Sequence, residues 1–401
     1  MTDIIEITGF DLTIKQIVQV ARSGYKVSLP QQAVSRMHES RKVIDHAISR
    51  GLRVYGLTTS VAAKTGIALD PQRVGEFNRR LLATHNIGHG PVVPHETVRA
   101  MMLILLNGMA SGRLGVRALL ADILVEALNS NRSVKVHAWG SMGESDMSPI
   151  SDLVLDLYAD VEMLAGEALA LLNSSSLSTG TAALAIHDLN SLLDFSALVS
   201  ALSMEGFAAN PSTLSDIALA SRPFKGLQFY GSLLRNCLQG SYLFVEGGPR
   251  NLQDPLCFRS LPLLLGTASD ALSYSTEQIQ TELNASQNNP VVSIEHDTLV
   301  SVANFDMLSL SMALDIARLA FVPLMTSSAE RLAKMVDSFW SGLTTGLIEE
   351  DGVGAPGFNG LAQFHKSITA EARLLAGPIT GELPSSSHSN GNLDRASVWP
   401  D

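Results

Sequence analysis

The strongest constraint on the fold of this chain is a repeated pattern. Long apolar segments of helical periodicity alternate with short polar breaks rich in glycine, serine and asparagine. Apolar residues recur at helical spacing in Gln32 to Arg50, for example, through Val34, Met37, Val43, Ile44 and Ala47. Further helical segments are expected at Leu12–Ile17, Pro71–Thr84, Thr97–Leu128, Ser151–Leu172, Gly180–Leu202, Leu263–Asn284, Met307–Leu332 and Leu361–Leu375. Alternating β-branched runs are scarce, apart from a small hairpin expected between Asn288 and Asp297. Such a chain is all-α, a large bundle of long helices. Wide apolar faces on so many helices, with only 17% charged residues, further imply that much of the surface is covered in an oligomer.

The breaks are where chemistry is expected, because polar backbone is costly to bury without partners. The central one is Trp139-Gly140-Ser141-Met142-Gly143-Glu144-Ser145-Asp146-Met147-Ser148-Pro149-Ile150. Its Ser148-Pro149 also reads as an ordinary helix start. Other breaks carry Tyr55 in Val54–Ser60, His85 before Gly88, Asn173 before a serine tract, and Gln253 and Arg259 in a Gly-Pro-rich segment. Asn304 lies beside another, and Glu371 sits on a late helix. Taken singly, a buried tyrosine or histidine is most often a satisfied core residue. Arg259 alone reads equally as a subunit ion pair, and Glu371 as a solvated helix face.

Taken together and in order, these segments resemble the histidine and aromatic amino acid ammonia-lyases. Val54-Tyr55-Gly56-Leu57-Thr58-Thr59 is similar to that family's V-Y-G-x-N-T-G loop, and Thr84-His85 to its L-x-x-S-H segment. Leu171-Leu172-Asn173-Ser174 resembles L-[LI]-N-G-T, and Gln253-Asp254-Pro255-Leu256-Cys257-Phe258-Arg259 resembles Q-D-x-Y-S-x-R. Glu282-Leu283-Asn284 with Asn289-Pro290 resembles E-x-N…D-N-P, and Asn304-Phe305 resembles G-N-F-H-G. The resemblance implies a helical homotetramer whose active sites combine loops from three subunits. It implies Tyr55 as the acid or base at the substrate β-carbon and Arg259 as partner of the substrate carboxylate. His85, Asn173, Gln253, Asn304, Phe305 and Glu371 would complete the binding pocket.

The central break departs from the family. There an Ala-Ser-Gly sequence cyclises to the electrophile 4-methylideneimidazol-5-one, with glycine allowing the close backbone approach. Here Glu144 stands for the alanine, Ser145 is retained and the glycine is missing, so the attacking nitrogen would belong to Asp146. Leu256 replaces a tyrosine, Ser60 a glycine and Asp306 a histidine, and the chain stops at Asp401, short of the family's C-terminal helices. No prosthetic group or other cofactor is therefore expected. Glu144, Ser145 and Asp146 become candidate acids, bases or hydrogen-bond donors beside Tyr55. The expected reaction is addition–elimination or ring closure on a small unsaturated or β-substituted acid. The alternatives are a non-catalytic binding or scaffold homologue, and an ammonia-lyase with an atypical prosthetic group.

Bulk properties narrow the partners. A net charge of −11 argues against nucleic acid. Two cysteines, Cys237 and Cys257, fit a reducing cytosol, and no ligand spacing supports a metal site. The N-terminus lacks a signal-peptide pattern, and charges are expected to interrupt the apolar runs before they reach membrane-spanning length. The expectation is a cytoplasmic protein of one domain, with an active-site region over 1–190 and a helical bundle over 191–401, and with a polar tail at Pro384–Asn392.

Overall fold

The computed structural model describes residues 4–141, 143–349, 353–384 and 395–397. It is overwhelmingly helical, as the periodicity predicts. The chain divides into two compact units. The first holds residues 1–187, 276–312 and 379–401; the second holds 188–275 and 313–378. Most of the expected polar tail lies outside the described residues.

In the first unit, helices α1 (Ile14–Ser23), α2 (Gln31–Ser49), α3 (Val74–His85), α4 (His95–Ala110), α5 (Ala118–Asn129), α6 (Met147–Leu157) and α7 (Glu167–Leu172) pack together. They are joined by the start of α8 (Ser176–Phe207). Short strands pair β1 (Ile4–Glu6) with β2 (Lys26–Ser28) in parallel, and β3 (His89–Val92) with β4 (His137–Trp139) antiparallel. The expected hairpin forms as β5 (Val291–Ser293) against β6 (Thr298–Val300).

Helix α4 is the centre of this unit. Val98, Met101, Met102, Leu105 and Leu106 are all buried, so the helix is apolar around its whole circumference. Its one charged interior residue, Arg99, ends two neighbouring helices. The guanidinium donates to the Val20 carbonyl of α1 (3.0 and 2.7 Å) and to the Leu128 carbonyl of α5 (2.9 Å). Carbonyls near helix C-termini lack intrahelical donors, and a cation there also suits the helix dipole.

Two expected helices are each broken in two. Thr97–Leu128 is interrupted over 111–117, where Gly115 has φ +72° and a Cβ would lie 2.5 Å from Ile44 Cγ1. Apolar periodicity continues through this corner because both sides of it are buried, so the sequence reads as one helix. Ser151–Leu172 is interrupted over 158–166. There the buried Tyr158 hydroxyl donates to the Leu120 carbonyl (2.8 Å). Glu167, fully buried, accepts from Arg117 N, Nε and Nη2 (3.0, 2.8 and 2.7 Å) and from Leu164 N (2.8 Å). A buried carboxylate satisfied this fully locks the start of α7.

The second unit carries most of α8, then α9 (Asp216–Ala220), α10 (Lys225–Cys237), α11 (Leu256–Arg259) and α12 (Leu261–Glu282). It continues with α13 (Leu308–Val336), α14 (Ser338–Ser341) and α15 (Asn359–Leu375). Phe207 and Phe258 stack at 4.1 Å in its core. By length and apolarity two stretches, Glu167–Phe207 and Leu308–Val336, reach membrane-spanning size, which corrects the expectation that charges interrupt every such run. Core helices of large bundles share that character. In the first unit the end of α7 and the start of α8 are buried in protein.

Candidate active site

The polar breaks of the first unit converge on one cavity of about 310 Å³. Its wall combines Tyr55, His85, Glu144, Asn173 and Phe305 from five separate segments, among apolar residues that include Val61, Leu81, Met147, Leu169, Leu172 and Val302. Among the described residues that line it, Glu144 alone carries a formal charge at neutral pH. This size suits a small-molecule ligand.

Each polar group is held by its own local structure. Tyr55 sits in a tight loop whose Val54 carbonyl accepts from the N–H groups of Leu57, Thr58 and Thr59 (3.2, 3.0 and 3.1 Å). The next residue, Gly56, has φ +65°, and a Cβ there would strike Leu169 Cδ2 at 2.0 Å, so only glycine lets the loop lie against α7. The Tyr55 oxygen accepts a hydrogen bond from Ala62 N (3.0 Å). His85 ends α3 with its Nδ1 2.8 Å from the Leu81 carbonyl. A carbonyl only accepts, so the proton is on Nδ1 and the Nε2 lone pair is left to act as acceptor. Asn173 donates from Nδ2 to the Asn289 carbonyl (2.9 Å).

The loop bearing Glu144 is pinned on both sides. Glu144 pairs with Asp306 in an isolated β-bridge, and Ser145 N donates to the Phe305 carbonyl (3.3 Å). Asp146 N donates to the Ser174 carbonyl (2.8 Å). The Asp146 side chain accepts from Ser178 N (2.8 Å) and Ser178 Oγ (2.6 Å) in the first turn of α8. Burial raises the Asp146 carboxyl above its ordinary range, and these bonds from Ser178 oppose the rise. Ser145 takes the left-handed conformation at φ +63°. Its hydroxyl is buried and has no hydrogen-bond partner among the described residues.

Not every candidate residue lies in this cavity. Ser145 and Asp146 are both 2% exposed and stand behind the wall, so of the three acidic-loop candidates only Glu144 faces the cavity. Asn304 is next to the lining and donates to the Ser286 carbonyl (3.1 Å). Gln253, Arg259 and Glu371 belong to the second unit. There Arg259 Nε donates to the Asp254 carbonyl (2.6 Å), and among the described residues Arg259 forms no ion pair. Gln253 and Glu371 are exposed. Conversely, Asn289 and Ser301 line the cavity and lie outside the expected set of site residues. The Asn289-Pro290 motif was the available signal for the first. Among the described residues, no group of three His, Cys, Asp or Glu side chains is placed to hold a metal ion.

A helical fold with loops gathered in this way defines the ammonia-lyase and aminomutase class. The aromatic amino acid lyase family matches residues 12–164 and 158–398, and the chain belongs to that family. Histidine ammonia-lyase of Streptococcus sanguinis is 28% identical over 404 residues, covering 95% of this chain and 78% of the relative. Among solved structures, ergothionase from Treponema denticola, described as an ergothioneine-degrading enzyme, superposes with a TM-score of 0.91. It is 26% identical and covers 99% of this chain and 84% of its own. Phenylalanine aminomutase of Pantoea agglomerans, at 23% identity and a TM-score of 0.90, shares the fold over 98% of this chain and 84% of its own.

Proposed function

We propose that the protein is a lyase of this superfamily that works without an internally formed electrophile. It catalyses addition–elimination or intramolecular ring closure on a small carboxylate-bearing acid that is unsaturated or β-substituted. The observation that carries this reading is the placement of Asp146. To form the prosthetic group, the nitrogen after Ser145 would have to attack the carbonyl carbon of Glu144. That nitrogen belongs to Asp146; its N–H is held by the Ser174 carbonyl and its side chain is bound to the first turn of α8. The residue has a Cβ where the reaction needs glycine. These residues do not fit the group.

The chain's own side chains then carry the reaction. Tyr55 is the proton-transfer residue at the β-carbon, with Ala62 N–H available to stabilise negative charge on its oxygen. Glu144 is the charged group of the cavity, and Ser145 and Asp146 fix its backbone from behind. His85 offers Nε2 as an acceptor, while Asn173 and Phe305 shape the binding surface. Arg259, with Gln253 and Glu371, is contributed by other copies in a homotetramer and pairs with the substrate carboxylate. Relatives named for histidine and ergothioneine support a small-molecule lyase.

The test combines intact mass with turnover. The purified protein should have the mass of its sequence and should resist borohydride, while converting at least one member of a panel of unsaturated, hydroxylated and amino acids. A mass two waters lower, with inactivation by borohydride, would sink the reading.

A further inference from the structure

The second unit holds a charge that packing alone does not explain. Arg331, on α13, is 4% exposed, and among the described residues no carboxylate pairs with it. Its Nη1 donates to Ser327 Oγ (2.9 Å), one turn earlier on the same helix, and its Nε has no partner among the described residues. Burial pushes the guanidinium down to about 10, so it is still charged at neutral pH. A guanidinium kept from water with so few partners destabilises the fold, and a methionine of similar length would pack there without that penalty. Residues that lower stability in this way are retained where function needs them.

The contacts of Arg331 lead to Arg259. Arginine only donates and a carbonyl only accepts, so Ser327 receives from Arg331 and gives its own hydrogen to the Cys257 carbonyl (2.8 Å). That carbonyl belongs to α11, which is four residues long and ends at Arg259. Carbonyls at a helix end lack intrahelical donors, and Ser327 supplies one. The positive charge behind Ser327 polarises its hydroxyl and strengthens the bond. Two further contacts hold α11: Phe258 stacks on Phe207 at 4.1 Å, and Arg259 Nε donates to the Asp254 carbonyl (2.6 Å). A single helical turn does not hold its own direction, so these outside contacts set where the Arg259 side chain starts.

We propose that Arg331 is a positioning residue for carboxylate binding: through Ser327 and the Cys257 carbonyl it fixes the direction from which Arg259 meets the substrate carboxylate. The inference rests on the carboxylate role given to Arg259 above. A forked guanidinium–carboxylate pair tolerates little misplacement, so slackening α11 weakens binding although Arg259 itself is intact.

The experiment uses the full chain with trans-cinnamate and crotonate, two unsaturated acids of the proposed class, titrated calorimetrically. Arg331→Met removes the charge, and Ser327→Ala leaves the charge but cuts the link to α11. Each should weaken binding of at least one acid by about tenfold. The thermal midpoint of Arg331→Met should hold or rise, because a buried charge without a counterion is gone. The double variant should bind no more weakly than the weaker single variant, since both changes break one chain of contacts. Unchanged affinity in either single variant, or losses that multiply in the double variant, overturns the proposal. If Arg331→Met does not fold, Ser327→Ala decides alone by the same criterion.

Arg259→Lys, titrated beside them, separates the two ways of failing. If neither acid binds the unmodified protein, or both bind Arg259→Lys as tightly, the carboxylate role of Arg259 falls and this inference with it. If Arg259→Lys weakens binding while Arg331→Met and Ser327→Ala do not, the positioning role alone is overturned.

Discussion

Asp146 and Ser178 are joined twice: the Asp146 carboxylate accepts from the Ser178 backbone N–H at 2.8 Å and from its hydroxyl at 2.6 Å. One side chain thereby ends the Glu144 loop and begins the 32-residue helix α8. Helix N-termini have unsatisfied N–H groups, and a carboxylate there satisfies them and complements the dipole. Asp146→Asn replaces one accepting oxygen with a donor facing other donors. A loss of about 1–3 kcal/mol in unfolding free energy is expected. Urea denaturation at pH 7 measures it, and an unchanged midpoint would show that the cap is unimportant.

Tyr55→Phe removes only a hydroxyl from a loop whose shape depends on Val54, Gly56 and Thr58. Folding and assembly should therefore survive while turnover falls by about 10²–10⁴-fold. Steady-state rates beside size-exclusion profiles decide this, and full activity in the variant removes Tyr55 from the mechanism.

Arg259→Lys keeps the charge but loses the planar fork that matches a carboxylate. Binding of a carboxylate substrate or product should weaken by about 1–3 kcal/mol. Calorimetric titration is the check, and an indifferent affinity assigns the carboxylate to another residue.

Glu282, at the end of α12, has its carboxyl pushed above the ordinary range by burial, opposed by its hydrogen bond from Gln287. A raised folded value means that folding strengthens proton binding at this carboxyl. Its contribution to stability is therefore fully present below the ordinary carboxylate range and is lost as pH rises through the folded value. Glu282→Gln keeps the acceptor for Gln287 and is neutral at every pH. The thermal midpoint of Glu282→Gln relative to the unmodified protein should rise between pH 4 and pH 8. A constant difference across that range contradicts the assignment.

Assembly should depend on α8, where Leu192, Phe195, Leu198, Val199 and Leu202 are all exposed in the single chain. A row of this size on one helix is an interaction face. Multi-angle light scattering should give a tetramer at micromolar concentration, and Phe195→Asp should dissociate it. A stable monomer in the unmodified protein contradicts the homotetramer.

Much of this protein is readable without coordinates, because helix periodicity is a local property. The apolar spacing in Gln32–Arg50 and Leu263–Asn284 locates α2 and α12 to within two residues, and the glycine breaks locate Tyr55, His85, Glu144 and Asn173 in loops or at helix ends. The ordered run of motifs also identifies the family, since it depends only on residue order. The corners at 111–117 and 158–166 are not readable that way. They are made by contacts between Gly115 and Ile44 and between Glu167 and Arg117, residues about 50 or more apart in the chain, while both flanks stay apolar because both are buried. The same limit separates Glu144 from its two neighbours. Three consecutive polar residues look equivalent in sequence, but the tertiary structure turns Glu144 toward the cavity and directs Asp146 into the first turn of α8. That choice is made by Ser174, Ser178 and Phe305, which become neighbours of the loop only when the chain folds.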